Sequence, residues 1–292
     1  MTDAWTSEDL IERLAEFEQE LRDAGMAPNT IATYVGRSET FVRWLQGEYS
    51  PRGPNETRPE DGSEMPDAFA LLKHLGSDAD PADIRDTLRR YEGITGYDAS
   101  LNRMKAITGP IPDLAQPEHR IALIEWLRSW GCRHLRKSDT ERTSEALRVW
   151  WEQAEPNLPA ADAQLASLAD EQLEAIASAY STLATSQAAG RSTSRGEIEV
   201  SFGDTAAAKT LFAMRPAAVP PWDEPIRASF GWTSDTRTLF LEFLKSAADA
   251  LGALGDRLGT TTEGLPEALA RPTSTPAKIV DEYLWVRVTR GL

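Results

Sequence analysis

Apolar residues recur at helical spacing along most of the chain. Within residues 7–24, Leu10, Leu14, Phe17 and Leu21 fall on one face with acidic residues between them, the pattern of an amphipathic helix with Ser7 as its N-cap. Gly25 and Pro28 break the chain before a second helix over 29–46, where Ile31, Val35, Val42 and Leu45 form a stripe widened by Tyr34, Phe41 and Trp44. The two read as an antiparallel helical pair. Residues 48–66 carry Pro51, Pro54, Pro59 and Pro66 among Glu, Asp, Ser and Gly, a composition that buries too little to stay ordered alone and reads as a linker or long loop.

Further helices are expected at 67–75, 81–93, 98–107, 117–131, 139–154, 161–187, 205–214, 223–230, 234–257 and 276–289. The breaks between them coincide with Gly109-Pro110, with Pro156 and Pro159, and with the glycine- and serine-rich stretch 190–196. The final helix, with Ile279, Tyr283, Trp285 and Val286, is expected to pack back on the core. Only Glu197-Ile198-Glu199-Val200 alternates as a strand does, and it is too short to make a sheet by itself. The expected architecture is all-α and multi-helical, two helical subdomains with a cleft between them. Its divisions are a helical pair at 1–47, the linker at 48–66 and a helical domain at 67–292.

Composition adds limits. The 292 residues are 41% hydrophobic, enough for real cores. The single cysteine, Cys132, excludes an intramolecular disulfide framework. Asp3, Glu8 and Asp9 stand where a signal peptide needs positive charge and an apolar run, and no stretch approaches the ~20 apolar residues of a membrane span. A cytoplasmic protein with no membrane partner is expected. The formal net charge of −15 disfavours indiscriminate binding to nucleic acid, because the field of the whole molecule repels phosphates. That charge is uneven. Residues 1–50 hold ten acids and four bases, whereas 119–148 hold seven bases and four acids.

Candidate chemistry is sparse. Cys132 and His134 offer two ligands where a structural zinc site needs four, so no metal is expected. Neither Walker nor dinucleotide glycine spacing appears, no G-x-S-x-G turn is present, and no cofactor is expected. In the basic segment Arg128, Arg133, Arg136, Lys137 and Arg142 interleave with Trp126, Trp130, Trp150 and Trp151. That mixture suits a nucleic-acid groove through phosphate contacts and stacking. It equally suits two amphipathic helices whose tryptophans are core and whose arginines are solvated.

The stretch 202–228 is the most suggestive. A short helix carrying Lys209 closes at Pro216, and Ala217-Ala218-Val219-Pro220-Pro221 then extends to Trp222 and Asp223 at the start of another helix. A carboxylate and an ammonium held in a cleft between two helices can do acid–base or nucleophilic work. The plainer reading makes Asp223 an N-cap and Lys209 its solvent-exposed or ion-paired neighbour.

Two resemblances bear on these readings. Residues 10–46, with 25–30 leading into Tyr34 and then 41–45, resemble the helical core-binding domain of tyrosine recombinases, a DNA clamp, although no catalytic tyrosine domain follows. Residues 205–228 resemble the catalytic region of helix-hairpin-helix DNA glycosylases. There a helix bearing a lysine leads through an extended segment to an aspartate that starts the next helix, and Lys209 and Asp223 stand in that order. The glycine-rich hairpin of that family is reduced here to Gly203, followed by Asp204.

The second resemblance implies an enzyme that hydrolyses the N-glycosidic bond of a damaged or modified base flipped from duplex DNA, as in repair or phage defence. Asp223 would stabilise charge on the sugar and orient water, Lys209 would attack the sugar carbon once its amine is neutral, and Trp222 would stack on the base. Two other readings stay open. One is a DNA-binding protein without catalysis; the other is a protein-interaction module whose acidic N-terminal face takes a basic partner.

Overall fold

A computed structural model describes residues 7–26, 30–31, 34–35, 38, 41–42, 67–94, 97–193, 196–231 and 235–290. The chain divides into two compact units, Met1–Ser63 and Glu64–Leu292.

In the first unit, α1 (Ser7–Asp23) ends where Gly25 turns left-handed at φ 70. Gly25 N–H donates to Arg22 O at 3.0 Å and Met26 N–H to Leu21 O at 3.1 Å, so the last carbonyls are satisfied by a turn that glycine adopts without Cβ strain. The described residues of 30–42 are helical, with Ile31, Val35 and Val42 buried as the stripe requires. Tyr34 and Phe41 are 48% and 57% exposed and stand outside that stripe, contrary to expectation. Trp44, Leu45 and the expected linker 48–66 lie outside the described residues.

The second unit contains α2 (Ala68–Ser77), α3 (Pro81–Ile94), α4 (Tyr97–Thr108), α5 (Pro117–Ser129), α6 (Thr140–Ala154) and α7 (Asp170–Thr185). A hairpin of β1 (Gln187–Thr193) and β2 (Gly196–Ser201) follows. Then come α8 (Gly203–Met214), α9 (Glu224–Ser229), α10 (Thr236–Leu258), α11 (Leu265–Ala268) and α12 (Pro276–Arg290). The fold is all-α apart from this hairpin among the described residues. No described helix is long and apolar enough to cross a membrane.

Two stretches differ from expectation, each because tertiary partners replace helical hydrogen bonds. The helix expected from 161 begins only at Asp170. Leu165 N–H donates to Ala217 O at 3.1 Å, and Gln172 Oε1 accepts from Ala169 N–H at 3.0 Å to cap the true start. The break expected at 190–196 is instead an antiparallel hairpin pairing Ala189 with Val200 and Thr193 with Gly196. Thr143 Oγ1 of α6 donates to Ala188 O at 2.8 Å, and Ala188 and Ala189 are buried, which anchors β1 to the helical body.

α8 lies at the centre of the unit. Its residues 206–214 are buried without interruption, and Ala206, Ala207 and Ala208 let neighbouring helices approach closely. α10 packs along α2 and α7. At the α2–α10 contact a Cβ on Gly76 would stand 3.0 Å from Ala250 Cα, so glycine sets the spacing there. Trp222 fills the centre beside Phe240, Phe243 and Phe230, with ring centroids 5.0, 5.1 and 5.9 Å away. α12 closes the unit against α3 and α9.

Candidate functional site

Five elements converge on one cavity of about 480 Å³ within the second unit. α8 contributes Lys209 to it, the extended residues before α9 contribute Asp223, and α12 contributes Asp281 and Trp285. Tyr91 comes from α3, and the loop after α5 supplies Trp130, Gly131, Cys132 and His134. Lys209 and Asp223, adjacent only in order along the chain, thus share a cavity.

Asp223 has extended backbone at φ −102, ψ 175, and its Oδ1 accepts from Ile226 N–H at 3.4 Å. It is the N-cap of α9, as the plainer reading holds, and it also faces the cavity. Burial pushes its carboxyl above the usual carboxylate range, while Lys209, the Ile226 N–H and Arg227 pull it back. Lys209 is only 7% exposed, so it is not the solvated neighbour of the plainer reading. Its Nζ donates to Trp130 O at 2.7 Å and stands 5.6 Å from that ring's centroid. Among the described residues no ion pair joins Lys209 to Asp223, which leaves the carboxylate open to a ligand.

Removal of the Lys209 cation makes the coupling measurable. In Lys209→Met the Asp223 carboxyl loses a group that favours its ionised form. Its titration, followed by carboxyl NMR, moves to higher pH. An unmoved titration contradicts the pairing of these two groups in one cavity.

The lining is acidic in balance. Asp204, Asp223, Glu224 and Asp281 face Lys209 and Arg227. Asp204 accepts from Tyr180 Oη at 2.6 Å and pairs with Arg227 at 3.6 Å, so it is already engaged. His134 Nε2 is 2.7 Å from Phe202 O, tying the loop after α5 to the start of α8. The Cys132 thiol is pushed up to about 11, chiefly by burial, so it is a protonated wall group and not a nucleophile at neutral pH.

A buried charged network stands behind the cavity. Lys278 Nζ donates to Tyr91 Oη at 2.8 Å and to Asp281 Oδ2 at 3.3 Å, and it lies 3.5 Å from Glu282 Oε1. Burial opposes its charge, but Asp281, Tyr91 and Glu282 hold the ammonium above the ordinary lysine range. Glu282 is fully buried and accepts from Arg271 Nε at 3.0 Å and Nη2 at 2.8 Å in a bidentate pair.

The other expected site residues divide. Trp222 is 1% exposed, and its ring points into the aromatic core, not the cavity; this corrects its expected stacking role. Asp223 itself has extended backbone, and its side chain turns to the cavity where Trp222 turns inward. Arg128 is also reassigned. Its guanidinium donates to Leu135 O at 2.5 Å, Arg136 O at 2.6 Å and Thr140 Oγ1 at 2.7 Å, closing the loop between α5 and α6. Arg133, Arg136 and Lys137 are exposed on that same loop, whose other residues wall the cavity. Arg142 is exposed on α6 and lies 3.8 Å from Glu199. Trp126, Trp130, Trp150 and Trp151 are all buried in the core, with Trp130 also at the cavity wall.

Sequence reasoning missed Tyr91, Asp281 and Trp285 as cavity residues, and Lys278 and Glu282 behind them. A signal was present. Lys278, Asp281 and Glu282 interrupt an otherwise apolar run from Ala277 to Leu284, and that run is buried on every side. Charges spaced i, i+3, i+4 inside such a helix must meet partners in the interior. Compared with known proteins, the chain matches no family model, no curated protein and no solved structure.

Proposed function

We propose that the cavity receives a nucleoside flipped out of duplex DNA and cleaves its N-glycosidic bond. The observation that carries this reading is the convergence of Asp223 and buried Lys209 on one acidic cavity. Departure of a base leaves positive charge on the sugar, and a fixed carboxylate in a site poor in water stabilises that charge more than bulk water does. The excess of carboxylates in the lining works in the same direction. The cavity volume of about 480 Å³ falls in the roughly 300–1,000 Å³ range of small-molecule sites.

Half-buried Trp285 replaces Trp222 as the aromatic surface on offer to a base, with Tyr91 packed edge-on behind it at 5.5 Å. Arg133, Arg136 and Lys137 on the bordering loop supply the cations that meet phosphates, against an overall charge that keeps non-specific binding weak. Asp223 orients the attacking water and takes its proton; Lys209 opposes the rise that burial gives the Asp223 carboxyl. The test is base release from duplexes carrying a panel of damaged and modified bases, with wild type set beside Asp223→Asn. Binding to these duplexes without release of any base would favour the non-catalytic DNA-binding reading.

A further inference from the structure

Hydrolysis of an N-glycosidic bond needs a second group, because the departing base carries away an electron pair and leaves poorly as an anion. The cavity holds a second acid. Asp281 is 6% exposed on α12 and lines the same cavity as Asp223. Its Oδ2 meets Lys278 Nζ at 3.3 Å, which fixes the side chain in place. That cation is shared with Tyr91 Oη and Glu282, and Glu282 is in turn held by Arg271.

The charged and titratable groups that act on Asp281 come from several elements. Lys278 and Glu282 lie on its own helix, Asp223 before α9, Lys209 on α8, and Tyr91 on α3 reaches it through Lys278. Burial dominates and pushes the carboxyl up to about 7, with Lys278 opposing and Asp223 adding to the rise. Asp223 is likewise pushed up, chiefly by burial, but it is the less buried of the two, and a backbone N–H, Lys209 and Arg227 work toward its charged form. Two carboxyls thus share one cavity with different partners, Asp223 a backbone N–H and Asp281 the Lys278 ammonium.

We propose that Asp281 is the acid that protonates the departing base, an inference that rests on the base-excision reading of the cavity. The bond between the sugar C1′ and the base nitrogen breaks, its electron pair goes to the base, and the base takes the Asp281 proton. Water adds its oxygen to C1′ and gives a proton to Asp223. The products are the free base and a sugar hydroxylated at C1′. Transfer of the proton from Asp223 to Asp281 through solvent restores the starting state.

The test is single-turnover base release by the full chain from matched duplexes. One set carries neutral bases such as uracil, hypoxanthine and 8-oxoguanine; the other carries 7-methylguanine, already cationic and able to leave without a proton. Asp281→Asn is expected to slow release of the neutral bases ~100-fold and of 7-methylguanine less than about threefold. Wild-type release of neutral bases falls as pH rises past about 7, and Asp281→Asn loses that fall. Asp281→Glu restores part of the rate. Equal losses on both substrates, or a pH fall that survives in Asp281→Asn, overturn the assignment while leaving base excision intact. Where Asp281→Asn fails to fold, wild type alone decides: release must fall with pH for neutral bases and stay flat for 7-methylguanine, and the same fall for both overturns it. Absence of release from every duplex by wild type overturns the base-excision reading and this inference together.

Discussion

Asp223→Asn is expected to lower base release by about a thousandfold while leaving the fold in place. Asparagine accepts a hydrogen bond from the Ile226 N–H as aspartate does, so the cap of α9 survives. Its volume matches, and the aromatic core around Trp222 is untouched. What is lost is the negative charge facing the sugar and the acceptor for the water proton. Removal of one preorganised electrostatic group of this kind typically costs 10²–10³ in rate, and here loss of the proton acceptor compounds it. Rate constants under single turnover, beside a thermal melt of each protein, separate chemistry from folding. Wild-type rates in Asp223→Asn would remove Asp223 from the mechanism.

Glu282→Ala is expected to be the most destabilising single change in the charged network. Glu282 is fully buried, accepts two bonds from Arg271 and one from Ser274 Oγ at 3.1 Å, and lies 3.5 Å from Lys278 Nζ. Without it Arg271 keeps Glu92, an exposed partner at 3.0 Å, and Lys278 keeps Asp281 and Tyr91. Breaking a buried pair from one side costs about 3–5 kcal/mol, because the remaining charge stays desolvated. The check is urea denaturation, with a lowered midpoint and an unchanged slope. The exposed cluster of Arg148 with Glu145 and Glu152 provides the contrast, and Glu145→Ala should leave the midpoint essentially where it is. Equal effects at the two places would mean that the interior network contributes no more than a solvated one.

Helices were legible because local chemistry and tertiary packing agree over most of the chain. α2, α3, α6 and α12 lie within a residue or two of the apolar periodicity and its glycine and proline breaks. The β-hairpin was not legible, since Gln187-Ala188-Ala189-Gly190-Arg191-Ser192-Thr193 has neither β-branched density nor alternation. Its pairing with β2 and its anchor on Thr143 supply what its composition lacks.

The site was half legible for the same reason. Lys209 and Asp223 lie within one supersecondary unit, and the proline-rich connection between them already implies a return of the chain. Tyr91, Asp281 and Trp285 come from α3 and α12, brought together by long-range packing that no local pattern encodes. Trp222 was misassigned because it adjoins Asp223 in sequence, whereas its side chain turns inward and that of Asp223 turns to the cavity.

The most direct test of Asp223 as the stabiliser of sugar charge needs no knowledge of the base. A duplex carrying a pyrrolidine in place of one sugar presents a cation where positive charge develops during base departure; a tetrahydrofuran in the same place is its neutral counterpart. The wild-type chain should bind the cationic duplex at least about a hundredfold more tightly than the neutral one at fixed salt, and Asp223→Asn should lose that preference. Equal affinity of wild type for the two duplexes would contradict a cavity built to hold that charge.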